Sequence, residues 1–503
     1  MSHPPEPSPR IPGLRFLHAP GPTHLPDAVL AAMHRQSMDL GDPRVQDCIA
    51  ACDGGLRRLL ATRAELFFYA ANGHGAWEAA IVNLLAPDAA ALVPGTGHFS
   101  DSWARQCEAL GRAALRTPWD EGRPIAPQPV EDALRADLQR PGGPRIAAVF
   151  VVHTDTASGV TSDLAAQRAA IDAAGHPALL VVDAVASLAT VPLAMDDARI
   201  DVVVGASQKG LMLPPGLGFV AVGEAALALA ARNPTPRFYW DWTQRRAREC
   251  YRRFCGTPPL QLMYGLQAAL GLLFDEGLDE VAARHRVLAG AVHAAVAAWS
   301  RAGALDFFCC EPAARSVGVT AVRTAPGIDP DAIRHAARER FQVAIAGGLG
   351  PLAGRVFRIG HLGDLSAPMV LGGCRALGGP RVRPPRALMQ GAGAPPDWTS
   401  GKRRQHRSRA LGGRTLRAGA IQPCHPSLPA RCVGSPHGLA GASSGRADSP
   451  RRGALPKPDS LLGALGGVQA ALQSLGVPCG RDGVAAAVDF IARAASGTSA
   501  GPR

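Results

Sequence analysis

Between about residue 60 and residue 280 the chain repeats one alternation: a short unbroken apolar run, then a stretch with helical spacing. The runs are Glu65-Leu-Phe-Phe-Tyr-Ala, Ala89-Ala-Ala-Leu-Val, Ile146-Ala-Ala-Val-Phe-Val-Val, Ala178-Leu-Leu-Val-Val, Asp201-Val-Val-Val and Leu217-Gly-Phe-Val-Ala-Val. Successive side chains of a strand point to opposite faces, so continuous apolarity implies strands covered on both sides. With helices expected at Gly75–Leu85 and Asp163–Ala174, the pattern predicts an α/β fold on a mainly parallel central sheet. A long helical region over Pro259–Trp299, with Leu262, Leu266, Leu270 and Leu273 on one stripe, leads to a smaller α+β region. There, Ser316–Val322 and Arg355–Ile359 read as strands flanking a helix at Asp329–Phe341.

The 503 residues are enough for two or three domains. The expected organisation is an arm at 1–11, an N-terminal segment with the large domain at 12–280, and a small domain split between 281–371 and 463–495. The intervening stretch, 372–462, is rich in Arg, Pro, Gly, Ala and Ser without periodicity, a composition expected to be disordered. It also explains the net charge of +12: 16 of the 53 basic residues but only 3 of the 41 acidic ones lie between Gly372 and Leu462. The remainder is nearly neutral, so a nucleic-acid partner is not expected. The eleven cysteines show no zinc spacing, and no metal is expected. No membrane span or signal peptide is legible, which together with reduced thiols suggests the cytoplasm.

Asp183 ends one predicted strand and Lys209 follows the next, in Ser207-Gln208-Lys209-Gly210 ahead of a Pro-Pro-Gly turn. Groups at the carboxyl ends of successive strands converge on the crevice where α/β sheets bind ligands. An acid and a lysine placed so are what pyridoxal 5'-phosphate (PLP) chemistry requires: the lysine as a Schiff base, the acid beside the pyridine nitrogen. Gly73-His74-Gly75, between a strand and a helix, offers backbone N–H groups to a phosphate.

At these residues the chain resembles the class V, fold-type I PLP aminotransferases, in particular the alanine–glyoxylate and serine–glyoxylate group. The matching segments are Pro20-Gly-Pro-Thr23, Asn72-Gly-His-Gly-Ala-Trp-Glu78, Val182-Asp-Ala-Val-Ala-Ser187, Gly205-Ala-Ser-Gln-Lys-Gly-Leu-Met-Leu-Pro-Pro-Gly216, Thr257-Pro-Pro, Gly347-Gly-Leu-Gly350 and Phe357-Arg-Ile-Gly-His-Leu-Gly-Asp364. The resemblance covers about residues 12–371 and 463–495. It implies that Lys209 and Asp183 are catalytic, that Gly73, His74 and Gln208 bind the phosphate, and that Phe99 stacks on the ring. Ser158 or its neighbours would contact the ring oxygen, and Arg358 would take the substrate carboxylate. Thr257 would reach the phosphate of a neighbouring subunit, implying a homodimer. Gln208, where cysteine desulfurases typically have His, favours an aminotransferase. The implied reaction moves an amino group from serine or alanine to glyoxylate or a related 2-oxo acid. Alternatives are another class V activity (2-aminoethylphosphonate or aspartate aminotransferase-like), or a homologue impaired by residues 372–462.

The chain departs from the family pattern at Thr156-Ala157-Ser158-Gly159, where a hydroxyl is missing, at Phe254-Cys255-Gly256 before Thr257, and at Met38-Asp-Leu-Gly-Asp-Pro. Joining Leu371 to Gly463 would restore the family's C-terminal helix, so 372–462 reads as an insertion within it, the helix restarting near Asp459–Ser460. The insertion reads as solvated chain or inserted DNA in preference to a nucleic-acid tail. Lys402-Arg-Arg-Gln-His-Arg-Ser-Arg409 is densely basic but has only Trp398 as an aromatic neighbour.

Overall fold

A computed structural model describes residues 15–247, 249–371, 463–480 and 482–495. The arm at 1–11, the segment 372–462 and the expected helix start at Asp459–Ser460 lie outside the described residues.

Seven strands form the large sheet in the order Glu65–Tyr69, Gly218–Val222, Val202–Ala206, Leu179–Asp183, Ile146–Val152, Ala90–Val93, Ala113–Arg116. Gly218–Val222 runs antiparallel to both neighbours, and the other pairings are parallel. All six predicted strands are present. The seventh, the Ala113–Arg116 edge, is not legible in the sequence because its half-exposed Ala-Ala-Leu-Arg carries no strong apolar signal.

The unbroken apolar runs have the expected cause. Leu180, Val182 and Val203 pack into one layer, while Val181, Val202 and Val204 pack into the other. Helices cover both faces. Gly73–Leu84 is capped by Asn72, whose side chain accepts the His74 and Gly75 N–H groups. Leu164–Ala174 is capped by Asp163 and closed by a left-handed Gly175. Gly205 has a packing role, since a Cβ there would lie 2.2 Å from the Phe219 ring.

The second sheet has five strands: Phe16–His18, Val343–Gly347, Val356–Gly360, Val319–Thr324 and Leu305–Phe307. Phe16–His18 pairs in parallel with Val343–Gly347, so the start of the described chain belongs to this sheet. We propose the folding units 12–280 and 281–371 with 463–495, with this one strand crossing into the second. The helix Leu260–Glu276 passes into Leu278–Ser300 through Gly277. Pro330–Phe341, Ala367–Leu371, Ala464–Ser474 and Gly483–Ala495 complete the helices of this region. Val370, Ala464, Leu465 and Val468 are buried in one apolar cluster, so the chain on either side of 372–462 shares a core. Ala464–Ser474 starts from its own N-cap, Gly463.

Candidate active site

Asp183 is the last residue of its strand. Lys209 lies three residues beyond Ala206, the end of the adjacent strand. The turn that carries Lys209 is closed by Ser207. Its hydroxyl donates to the Pro214 carbonyl at 2.6 Å and accepts the Leu217 N–H at 3.3 Å. Gly210 is confined too, since a Cβ there would meet the Leu188 carbonyl at 2.2 Å. From the other side comes Pro20-Gly21-Pro22-Thr23. The Lys209 ammonium donates to the Pro20 carbonyl, the Thr23 hydroxyl donates to the Lys209 carbonyl at 3.1 Å, and Gly21 (φ +125°) leaves the room a Cβ would take from the lysine.

The Asp183 carboxylate accepts the Val185 N–H at 2.7 Å. Burial pushes its pKa up to about 7, with nearby Asp155 adding to the rise. The Val185 amide, the Trp77 indole and Lys209 oppose it. Lys209 moves the other way, to about 8, because desolvation and then Arg358 disfavour its charge, against Asp183 and Asp155. Arg358, in the Val356–Gly360 strand, is buried. It donates through Nε to Gly347 O at 2.6 Å and through one terminal nitrogen to Thr156 O at 2.8 Å. Desolvation lowers it to about 10. Its other terminal nitrogen makes no hydrogen bond among the described residues.

The structure thus brings Asp183, Lys209 and Arg358 into one electrostatic neighbourhood and adds a residue the sequence did not reveal. Asp155 is fully buried; its two oxygens accept the Phe99 N–H at 2.9 Å and the Ala157 N–H at 2.8 Å. Thr154-Asp155-Thr156 looks like an ordinary polar turn, so only the tertiary arrangement exposes its role.

The other expected residues fall as follows. Gly73 begins its helix against Val185 and Ala206, between the Asp183 and Lys209 strands. The His74 ring packs on Trp77, centroids 4.5 Å apart, and its pKa is lowered by burial and by His98. Phe99, half-buried at the start of His98–Ala109, meets Trp77 edge-on. Gln208 Oε1 and, near Phe99, Thr96 Oγ1 are buried without a hydrogen-bond partner. The Ser158 hydroxyl donates to the Thr96 carbonyl at 3.2 Å and to the Asp155 carbonyl at 3.3 Å. Thr156, whose carbonyl accepts from Arg358, has a hydroxyl with no described hydrogen bond. Thr257 is exposed, and no described interaction joins it to the other residues.

Orphaned polar atoms, a helix start and a buried lysine beside a buried acid fit PLP. The Asn72 cap takes the His74 and Gly75 amides, and the Gly73 N–H has no described hydrogen bond. The sequence holds three lysines, and Lys209 alone lies among the described residues; the others are Lys402 and Lys457. A fold that otherwise uses arginine as its cation has kept one lysine, at the convergence of its strands.

Residues 15–353 match the family model for class-V aminotransferases. The chain belongs to that family. It is 40% identical over 369 residues to the serine–glyoxylate aminotransferase of Methylorubrum extorquens, covering 72% of this chain and 90% of that protein. It is 38% identical over 357 residues to the L-aspartate–glyoxylate aminotransferase of Paracoccus denitrificans, covering 70% and 88%. Among solved structures, pyridoxamine–pyruvate aminotransferase from Mesorhizobium loti matches with a TM-score of 0.63 at 29% identity, covering 72% of this chain and 89% of that one. The fold is that of the fold-type I aminotransferases, and the chain is a transferase of amino groups.

Proposed function

We propose that this aminotransferase binds PLP covalently at Lys209 and moves an amino group from a small amino acid, serine or alanine, to glyoxylate or a related 2-oxo acid. The observation that carries the reading is the only lysine of the described fold, set at the convergence of two strand ends with Asp183 on the adjacent strand. Bound there, PLP would supply the electron sink that stabilises charge at the donor's Cα. Asp183 would hold a proton at the ring nitrogen. Lys209 Nζ, depressed to about 8, would take the Cα proton near neutral pH, as a general base tuned toward the working pH can. Arg358 would orient the substrate carboxylate through the N–H groups its two backbone bonds leave over. Gly73, His74 and Gln208 would hold the phosphate, and Phe99 would cover the ring.

Serine and glyoxylate are named because relatives at 38–40% identity carry glyoxylate in their names. The aspartate–glyoxylate relative makes aspartate the second donor to test. A homodimer, with Thr257 facing the neighbouring subunit, belongs to the same proposal. So does a reducing compartment, supported by the free thiols of Cys48, Cys52, Cys107, Cys250, Cys255, Cys309 and Cys310. No described helix is long and apolar enough to cross a membrane.

A donor panel of serine, alanine and aspartate against glyoxylate and pyruvate tests the reading. Glycine formation from glyoxylate with serine or alanine as the best donor is expected. A chain that binds PLP but transfers from none of the donors overturns it.

A further inference from the structure

The four buried or part-buried ionisable groups of the site share an unusual arrangement. Asp155, Asp183, Lys209 and Arg358 are two anions and two cations, yet among the described residues no ion pair joins any of them to another. Each is held by the backbone instead: Asp155 by the Phe99 and Ala157 amides, Asp183 by Val185, Lys209 by the Pro20 carbonyl, and Arg358 by Gly347 and Thr156. Three of the four have evident work in the proposed reaction. Asp155 has none.

We propose that Asp155 is a positioning residue for the substrate-carboxylate side of the site, its carboxylate tying the Phe99 helix start to the loop that grips Arg358 and supplying the negative charge that balances Lys209 and Arg358. This rests on the reading of Lys209 and Arg358 given above.

The geometry is specific. One oxygen takes the amide at the start of His98–Ala109, where Phe99 sits; the other takes the amide of Ala157. The Asp155 carbonyl adds the Gly159 N–H at 2.8 Å and the Ser158 hydroxyl at 3.3 Å, so a single residue organises the whole turn from 155 to 159. Within that turn, Thr156 presents the carbonyl that receives Arg358. Gly97 (φ +149°) leaves the space needed, because a Cβ there would stand 2.8 Å from the Asp155 carboxylate. Burial pushes the Asp155 pKa up, and the Phe99 and Ala157 amides, one on each oxygen, and His98 oppose that rise by favouring the carboxylate.

Four ionisable groups from four different segments sense it. Lys209 and Arg358 have their charged forms favoured by it, Asp183 has its charged form disfavoured, and His98 faces it from the neighbouring helix. An aspartate that merely capped a loop would be replaceable by asparagine with a loss of stability and no change in these partners. A charge-balancing residue predicts a change in Lys209 itself.

Asp155→Asn keeps the shape, removes the charge and turns one N–H acceptor into a donor. In the full chain without cofactor, the pH dependence of acylation at Lys209, followed by peptide mass spectrometry, is expected to shift its midpoint down by about one unit from the wild-type value. In the PLP-loaded protein, KM for donor and acceptor should rise about tenfold while kcat changes less than about threefold, the signature of lost carboxylate binding. A Lys209 midpoint within about 0.2 units of wild type, or a kcat loss with KM unchanged, overturns the proposal. Should Asp155→Asn not fold, Asp155→Ser, which can still accept one amide, is read in the same two ways. A wild-type chain that gains no chromophore with PLP overturns the functional reading; the Lys209 midpoint, measured without cofactor, then decides the Asp155 proposal alone.

Discussion

The two sides of the site are built in different ways. Asp183, Lys209 and the Gly73 helix start come from one continuous stretch, 65–222, folded as a sheet whose interior strands are buried on both faces. Arg358 comes from a sheet assembled from distant pieces: Phe16–His18 at its edge, 305–360 at its centre, and helices from 278–300, 330–341 and 464–495. In the proposed function the first arrangement would fix where the cofactor's chemistry happens. The second, which depends on long-range assembly, would decide what is brought to it. Changes to the first should therefore abolish chemistry, and changes to the second should alter binding or stability.

The largest effect is expected for Lys209→Ala, which should remove the PLP chromophore and lower transamination by at least about 10³-fold, with an unchanged circular dichroism spectrum. Asp183→Asn should follow, lowering kcat by about 10²–10³-fold with KM little changed, because it removes charge stabilisation in the transition state. Arg358→Ala should instead raise KM about 10–100-fold for amino donor and oxo acid alike, as steady-state kinetics on both would show. A kcat loss at Arg358 as large as at Asp183 would break the distinction between the two sides.

Smaller effects concern the scaffold. Gly205→Ala would force a methyl to within 2.2 Å of the Phe219 ring unless the ring moves. It should destabilise by about 1–3 kcal/mol, visible as a lower thermal midpoint. Removing 372–462 and joining Leu371 to Gly463 should change the thermal midpoint least. The chain on either side of 372–462 shares one apolar cluster, and the entropy of closing a chain segment depends only weakly on its length. Transamination in that variant should stay within a few-fold of the full chain. A severalfold gain would mark the insertion as inhibitory.

The same contrast explains what the sequence could reveal. Consecutive valines in Val202-Val-Val and Leu179-Leu-Val-Val announce strands covered on both sides, and they put Asp183 at the end of one and Lys209 just beyond the other, strands that pair in parallel. Phe16–His18 and Val343–Gly347 are short and covered by distant helices, so nothing local marks them as neighbours. Asp155 is hidden for a related reason: its partners are backbone amides, which have no residue type to recognise. Ser158 shows the converse. Its place in the motif is legible, whereas its hydrogen bond to Thr96 O, 62 residues away, is a product of the tertiary fold.

The central claim concerns one lysine among three. The PLP-treated full chain should be yellow, lose that colour on borohydride reduction, and yield one pyridoxyl-modified peptide containing Lys209. A colourless protein, or modification at Lys402 or Lys457 with Lys209 untouched, would contradict the account.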